Sequence, residues 1–243
     1  VTDQRALPAP PPLPDLEREK ELAAARSLEH LRDGMTIGLG TGSTAAYFIQ
    51  MLARRVQEGL RVKAVPTSLR TQTLARRLGI PLTDFAEVRR LDLTVDGADE
   101  VNPQLDLIKG GGGALLREKI VASVTDYFVI IGDSRKFVPV LGRFPLPVEV
   151  VPFGWQLAAE RIERLGAEVT LRANSTGQPF LTVESNFILD CRFGSITDPA
   201  GLARELRGII GVVEHGLFVG MASELIIGRG DTTEILTRQD RER

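Results

Sequence analysis

Apolar and polar positions change period several times along this chain, and each change marks an element. From Leu16 to Leu31, apolar residues recur at helical spacing among glutamates, lysines and arginines, predicting a helix stopped by Asp33-Gly34. Short apolar runs then alternate with amphipathic ones. They predict strands over 36–40, 62–65, 91–95 and 127–131, and helices over 43–56, 68–78 and 114–124. Such alternation implies a parallel sheet with its binding groups at the C-terminal strand ends. The order changes after Phe144. A strand over 147–151, a helix over 153–165, strands over 168–171 and 187–193, a helix over 200–209 and a strand over 212–218 follow. That β-α-β-β-α-β order is the split, ferredoxin-like unit. A strand over 225–227 is expected to rejoin the first sheet. The expected fold is α/β, a Rossmann-like, doubly wound, mainly parallel sheet with an inserted ferredoxin-like α+β domain.

The domain limits follow from that pattern. Residues 1–15 hold five of the fourteen prolines and no apolar period, so they read as a disordered, proline-rich head. Residues 16–144 with 219–243 form the Rossmann-like catalytic domain, and 145–218 the small one. Composition narrows the class without naming it. A chain of 243 residues buries roughly 70–75% of its unfolded surface and needs no staples. Its 43% hydrophobic and 26% charged content is that of an ordinary globular protein. A net charge of −2 argues against a nucleic-acid binder, and no apolar run approaches the ~20 residues of a membrane span. No signal-peptide pattern opens the chain. Cys191 is alone, which rules out an internal disulfide and fits a cytoplasmic setting. One Cys and two His leave little for a soft metal site, while carboxylate-bound magnesium stays open.

Candidate chemistry gathers at the predicted strand ends. Gly38-Leu39-Gly40-Thr41-Gly42-Ser43-Thr44-Ala45 joins a strand to a helix and contains G-x-G-x-x-A. A dinucleotide site also expects an acidic residue at the end of the next strand, and Pro66-Thr67-Ser68 stands there instead. The remaining property is a glycine turn with free amides and the hydroxyls of Thr41, Ser43 and Thr44, a phosphate pocket or a plain capped turn. Asp96 and Asp99 flank Gly97-Ala98 just past an apolar strand. A turn there can aim both carboxylates into one cleft for proton exchange, form Asx contacts, or hold magnesium. Glu100 is expected to cap a helix or face solvent, outside the site.

Lys109 precedes Gly110, Gly111, Gly112 and Gly113, a run costly to order unless something approaches the bare backbone. Glu118 lies early in the next helix, where the positive helix end favours its ionised form. Positions three and four away carry no basic residue, so it is either a base or a plain solvated glutamate. Lys136, past another strand end, either closes the anion pocket or is solvated. His30, His215, Trp155 and Cys191 are read as structural.

Together these segments resemble the ribose-5-phosphate isomerase type A family. The residues that carry the resemblance are Gly40–Thr44, Asp96–Glu100, Lys109–Gly112, Arg117-Glu118-Lys119, Phe144–Val150 and Gly211–Phe218, in order over about 16–230. The resemblance implies interconversion of ribose 5-phosphate and ribulose 5-phosphate in the non-oxidative pentose phosphate pathway, without metal or organic cofactor. It implies Glu118 as the base between C2 and C1. Lys109 and the amides of Gly110, Gly111 and Gly112 would stabilise a cis-enediolate, with Asp96 and Asp99 handling hydroxyl protons and ring opening. Thr41, Gly42, Ser43, Thr44, Gly97, Ala98 and Lys136 would be among the substrate-binding groups, and the enzyme a cytoplasmic homodimer or homotetramer. Gly113, Leu116 and the Ser185-Asn186 turn depart from the family pattern without touching the acid–base groups. A sensor that binds the same sugar phosphate without turning it over is the alternative from another class.

Overall fold

The structure, a computed structural model, describes residues 15–238. The proline-rich head, apart from Asp15, therefore lies outside the described residues. Asp15 caps the first helix, α1 (Leu16–Ser27), by accepting from the Arg18 amide. The chain then runs through β1 (Thr36–Leu39), α2 (Ser43–Gln57), β2 (Lys63–Pro66), α3 (Leu69–Arg77) and β3 (Leu91–Asp96). Two short strands follow, β4 (Glu100–Val101) and β5 (Leu107–Ile108), then α4 (Leu115–Ser123) and β6 (Thr125–Asp133). The second half comprises β7 (Leu146–Val150), α5 (Trp155–Arg164), β8 (Glu168–Leu171), β9 (Phe187–Arg192), α6 (Pro199–Arg207) and β10 (Val212–His215). It ends with β11 (Leu217–Phe218), β12 (Glu224–Arg229) and β13 (Thr232–Thr237).

Six strands form the main sheet in the order β13-β12-β6-β3-β1-β2, all parallel except β13. Apolar residues face both ways along its central strands, because both faces are covered. Val129 and Ile131 of β6 pack with Phe48, Ile49 and Leu52 of α2, whereas Phe128 and Ile130 pack with Ala122 of α4 and Phe218. From β1 the chain winds outward to β2, then crosses to β3 on the other side of β1. The switch point of the sheet therefore lies between β1 and β3, the place beyond the strand ends where sheets of this kind open a crevice.

The expected small sheet is present, antiparallel in the order β10-β7-β9-β8 and backed by α5 and α6. The strand expected over 212–218 is split at Gly216. A Cβ there would lie 2.2 Å from the Lys109 carbonyl oxygen, so two backbones meet at that glycine. The second piece, β11, joins β5 and β4 in a three-stranded antiparallel sheet that the apolar pattern does not reveal. The strand β13 is likewise unpredicted. It lies on the sheet edge, with a burial pattern too mixed to betray it.

The first helix packs across β6 and β12 on one face of the main sheet, beside α2. The buried Glu19 carboxylate accepts from the amides of Ser134 and Gly230, and the Glu19 backbone presses on Gly228 of β12. A Cβ at Gly228 would lie 2.0 Å from the Glu19 carbonyl oxygen. Gly228→Ala is therefore expected to lose about 1–3 kcal/mol of stability through overpacking. Urea unfolding checks this, and a loss under about 0.5 kcal/mol would mean that α1 can shift without cost.

Candidate active site

Four segments converge on the switch point. The end of β1 delivers Gly40-Thr41-Gly42, the end of β3 delivers Asp96, β5 leads straight into Lys109, and the glycine turn leads into α4 with Glu118. Gly40 is required by its neighbour, since a Cβ there would stand 2.2 Å from Asp96 Oδ1. That oxygen accepts from the amides of Thr41 at 2.9 Å and Gly97 at 2.7 Å. Asp96 Oδ2 faces Lys109 Nζ at 2.9 Å, and Glu118 Oε2 faces the same ammonium at 3.4 Å. Both are in ion-pair range, yet neither lies on the line of a hydrogen bond, so each keeps lone pairs for another proton. Lys109 Nζ donates to the Gly97 carbonyl instead.

These three charged groups are almost entirely out of water, at 1% exposure for Asp96, 2% for Lys109 and 5% for Glu118. Burial alone would favour neutral Lys109, but Asp96, Glu118 and Asp99 raise its pKa above the ordinary lysine value. For Glu118, burial is the largest influence and pushes the pKa up to about 8, against the opposing pull of Lys109 and with Asp96 adding to the rise. This corrects the expectation drawn from its place in the helix. Glu118 does sit in the first turn of α4, but the positive helix end is outweighed by loss of solvent.

Asp99, half-buried, accepts from the Gly111 amide at 2.7 Å, and a Cβ on Gly111 would meet Asp99 Oδ1 at 2.6 Å. The two aspartates therefore divide their tasks, one against the ammonium and one against the glycine turn. Glu100 neither caps a helix nor faces solvent. It is buried and accepts from the amides of Gly142 and Phe144, fixing the approach to β7.

The expected anion pocket is built by α2, whose first turn has no side-chain cap and no acidic residue. Its leading amides therefore remain free for an anion. Gly42 precedes it at φ 128°, beside exposed Ser43 and buried Thr44. The Thr41 hydroxyl, expected among the ligand donors, is engaged elsewhere. It lies 2.8 Å from the hydroxyls of Thr67 and Ser68 and 3.1 Å from that of Thr71, lacing the ends of β1 and β2 together. Lys136 sits half-buried past the end of β6, its stem over Gly132, and makes no ion pair among the described residues.

Several groups escape sequence reasoning. Lys119 is buried and binds Glu214 at 2.8 Å and the His215 carbonyl, fastening α4 to β10. Burial is the main force lowering its pKa to about 8. His215, expected to be isolated, is part of this cluster and is held neutral, its pKa pushed down to about 3 by burial and by Lys119. The Phe218 ring lies between the two ammonium groups, 5.6 Å from Lys109 and 4.8 Å from Lys119. Arg172 and Phe180 reach the glycine turn from beyond the small sheet. Each acquires its role through long-range packing, although Lys119, Glu214, His215 and Phe218 stand in segments that carry the family resemblance.

Removing Lys109 would leave two buried carboxylates without a counterion. Lys109→Met is expected to cost about 3–5 kcal/mol at neutral pH, as for other broken buried pairs. The deficit should shrink at pH 5, because carboxylates freed of the cation take up protons more readily in the folded state than in the unfolded one. Urea unfolding at the two pH values checks this, and an equal deficit at both would exclude a charge origin.

Comparison with known proteins identifies the family of this fold. A family model described as ribose 5-phosphate isomerase A (phosphoriboisomerase A) matches residues 63–232. The ribose-5-phosphate isomerase A of Gloeobacter violaceus is 56% identical over 225 residues, covering 92% of this chain and 97% of its own. That of Bradyrhizobium diazoefficiens is 48% identical over 235 residues, covering 93% and 98%. Among solved structures, a D-ribose-5-phosphate isomerase in complex with phospho-erythronic acid superposes with a TM-score of 0.90 at 39% identity, covering 92% of this chain and all of its own. The Plasmodium falciparum ribose 5-phosphate isomerase gives 0.88 at 35% identity, with 92% and 100% covered. The chain belongs to the ribose 5-phosphate isomerase A family.

Proposed function

We propose that this protein interconverts D-ribose 5-phosphate and D-ribulose 5-phosphate by proton transfer through a cis-enediolate. The observation that carries the mechanism is the buried trio in which one ammonium, Lys109, serves two carboxylates, Asp96 and Glu118. An α-proton beside a carbonyl is weakly acidic, so its removal needs a strong base and a charge already waiting for the new oxyanion. Glu118 has the raised basicity and Lys109 the charge.

In this reading the substrate phosphate rests on the free amides of α2, with Gly42, Ser43, Thr44 and Lys136 around it. The open-chain sugar extends toward Lys109, past Gly97 and Ala98. Glu118 takes the C2 proton, and the electron pair moves through C1 onto O1 to give the enediolate. Lys109 and the amides of the glycine turn stabilise that oxygen. A proton passes from O2 to O1, with Asp96 or Asp99 as carrier, and Glu118 returns its proton to C1 to complete the ketose. The same aspartates serve ring opening, which also moves hydroxyl protons.

The finer organisation belongs to the same proposal. Residues 16–144 with 219–243 act as the catalytic domain and 145–218 as the small one, the separate six-stranded and four-stranded sheets supporting that division and β11 pairing with β5 across it. A cytoplasmic homodimer or homotetramer is proposed, supported by the exposed apolar side chains of Phe153, Leu157 and Ile210 on the small-sheet side. No helix among the described residues is long and apolar enough to cross a membrane.

Incubating ribose 5-phosphate with the protein in D2O containing EDTA should replace the C2 proton signal by ribulose 5-phosphate deuterated at C1. Glu118→Gln should lower turnover by ~10²–10⁴-fold while sparing affinity. Near-normal exchange in that variant would remove Glu118 from its role. Because the active form of Glu118 is deprotonated, kcat/KM should climb as pH rises and level off above about pH 8. A profile flat from pH 6 to 9 would contradict the raised basicity.

A further inference from the structure

Arg172, in the segment after β8, lies outside the trio and the anion pocket. Asp190 of β9 holds its guanidinium from behind, Nε donating to Oδ2 at 2.9 Å and Nη2 to Oδ1 at 2.5 Å. This two-point pairing fixes the plane of the group. Its remaining edge goes to the glycine turn, where Nη1 donates to the carbonyls of Gly110 at 2.9 Å and Gly111 at 3.2 Å. The Phe180 ring, 6.0 Å from the guanidinium carbon, braces the far side of the turn so closely that a Cβ on Gly113 would meet it at 2.5 Å. The turn is therefore shaped by the small sheet, not by its own sequence alone.

A trans peptide is planar, with its C=O and N–H pointing in opposite directions. Holding a carbonyl therefore aims the next amide. The first peptide demonstrates this, since the Gly110 carbonyl faces Arg172 and the Gly111 amide donates to Asp99 at 2.7 Å on the opposite side. In the next peptide the Gly111 carbonyl faces Arg172 as well. The Gly112 amide is thereby turned to the Asp99 side, where it has no acceptor among the described residues. Gly112 is exposed, and the nearest group a Cβ there would meet is the Thr41 methyl, 4.0 Å away. Two successive amides aimed one way make an anion-binding concavity.

We propose that Arg172 is a positioning residue. Clamped by Asp190, it holds the Gly110 and Gly111 carbonyls so that the Gly112 amide is oriented in advance toward the oxygen that becomes anionic. The identity of that oxygen rests on the isomerase reading; the orientation of the amide does not. Lysine cannot replace it, since a single ammonium lacks the planar fork that engages Asp190 and two carbonyls together.

The test compares wild type with Arg172→Ala, Arg172→Lys and Asp190→Asn. Deleting an oxyanion donor outright costs ~10²–10³ in kcat, so misaiming one should cost about 10- to 100-fold. The expected result is that fall in kcat for both Arg172 variants with KM nearly unchanged, and a smaller fall for Asp190→Asn. Millimolar guanidinium should restore part of the kcat of Arg172→Ala and leave wild type unaffected. Unchanged kcat, or parallel losses in kcat and KM without guanidinium rescue, would overturn the proposal. If Arg172→Ala does not fold, Arg172→Lys and Asp190→Asn carry the kinetic comparison. A second readout is independent of turnover: in protein labelled with 15N-glycine, the Gly112 resonance (assigned with Gly112→Ala) is followed during titration with phospho-erythronate. It should move in wild type and stay still in Arg172→Lys. A wild type that shifts Gly112 but does not isomerise ribose 5-phosphate would sink the isomerase reading alone, whereas a Gly112 resonance unmoved in wild type sinks this one.

Discussion

One ammonium ion buried with two carboxylates is the constraint on which this cleft depends. Taking Lys109 out of water costs several kcal/mol, and a neutral lysine would be the outcome without partners. Asp96 and Glu118 reverse that preference, but one positive charge cannot neutralise both. Asp96 accepts two amide hydrogen bonds, from Thr41 and Gly97, whereas no hydrogen bond reaches Glu118 Oε2. Burial is the largest influence on Glu118 and makes it a stronger base than an ordinary glutamate, while the two amides fix Asp96 in place. The glycines at 40 and 97 therefore set the geometry of the trio. The first admits Asp96 to its position and the second supplies one of its amides and the carbonyl that receives Lys109.

The fold brings that trio together from segments far apart in sequence. The main sheet contributes the crevice and Asp96, but its strands do not carry Lys109. That residue is placed by the three-stranded sheet, where β11 runs beside β5 and the Lys109 amide donates to the Gly216 carbonyl. Glu118 is held from the far side, since its neighbour Lys119 ties α4 to β10. The glycine turn is gripped from two directions, Asp99 on one side and Arg172 on the other. The small sheet thus takes part in shaping the cleft while contributing none of the acid–base groups.

Much of this was legible along the chain, and the divide between legible and hidden is physical. Asp96, Asp99, Lys109 and Glu118 stand at ends of strongly apolar segments, so local pattern exposes them. The β-α-β-β-α-β order needed only element types, and the small sheet follows it. Two-residue strands such as β4 and β5 have no period to detect. The break at Gly216 depends on a backbone 107 positions upstream, that of Lys109. Glu100, expected to cap a helix or face solvent, is buried against the amides of Gly142 and Phe144, and the Thr41 hydroxyl meets a lattice of neighbouring hydroxyls, contacts that depend on distant segments. The Arg172–Asp190 clamp joins the end of β8 to β9, whose pairing sets its geometry, with Thr170 opposite Asp190. The sign of the Glu118 shift was misread for the same reason, because the helix end is visible in sequence and burial is not. An effect of about 0.3–1 kcal/mol from a helix end is small beside the cost of an unsolvated charge.

The arrangement also explains why a base poised this way suits an isomerisation that must run in both directions. In the proposed reaction, as Glu118 takes a proton from carbon its negative charge vanishes and an equal charge forms on the substrate oxygen. If both positions lie within reach of Lys109, the ammonium sees one carboxylate plus one mobile negative charge before and after the step. Its own environment barely changes, so little reorganisation is required as the barrier is crossed. A base that was fully ionised in water would gain nothing from this, since transfer would strip its solvation. Glu118 is buried before any substrate arrives, so its carboxylate form has little solvation left to lose in the transfer. In the proposed reaction this serves both directions, since the same carboxyl group that removes a proton from C2 can deliver one to C1.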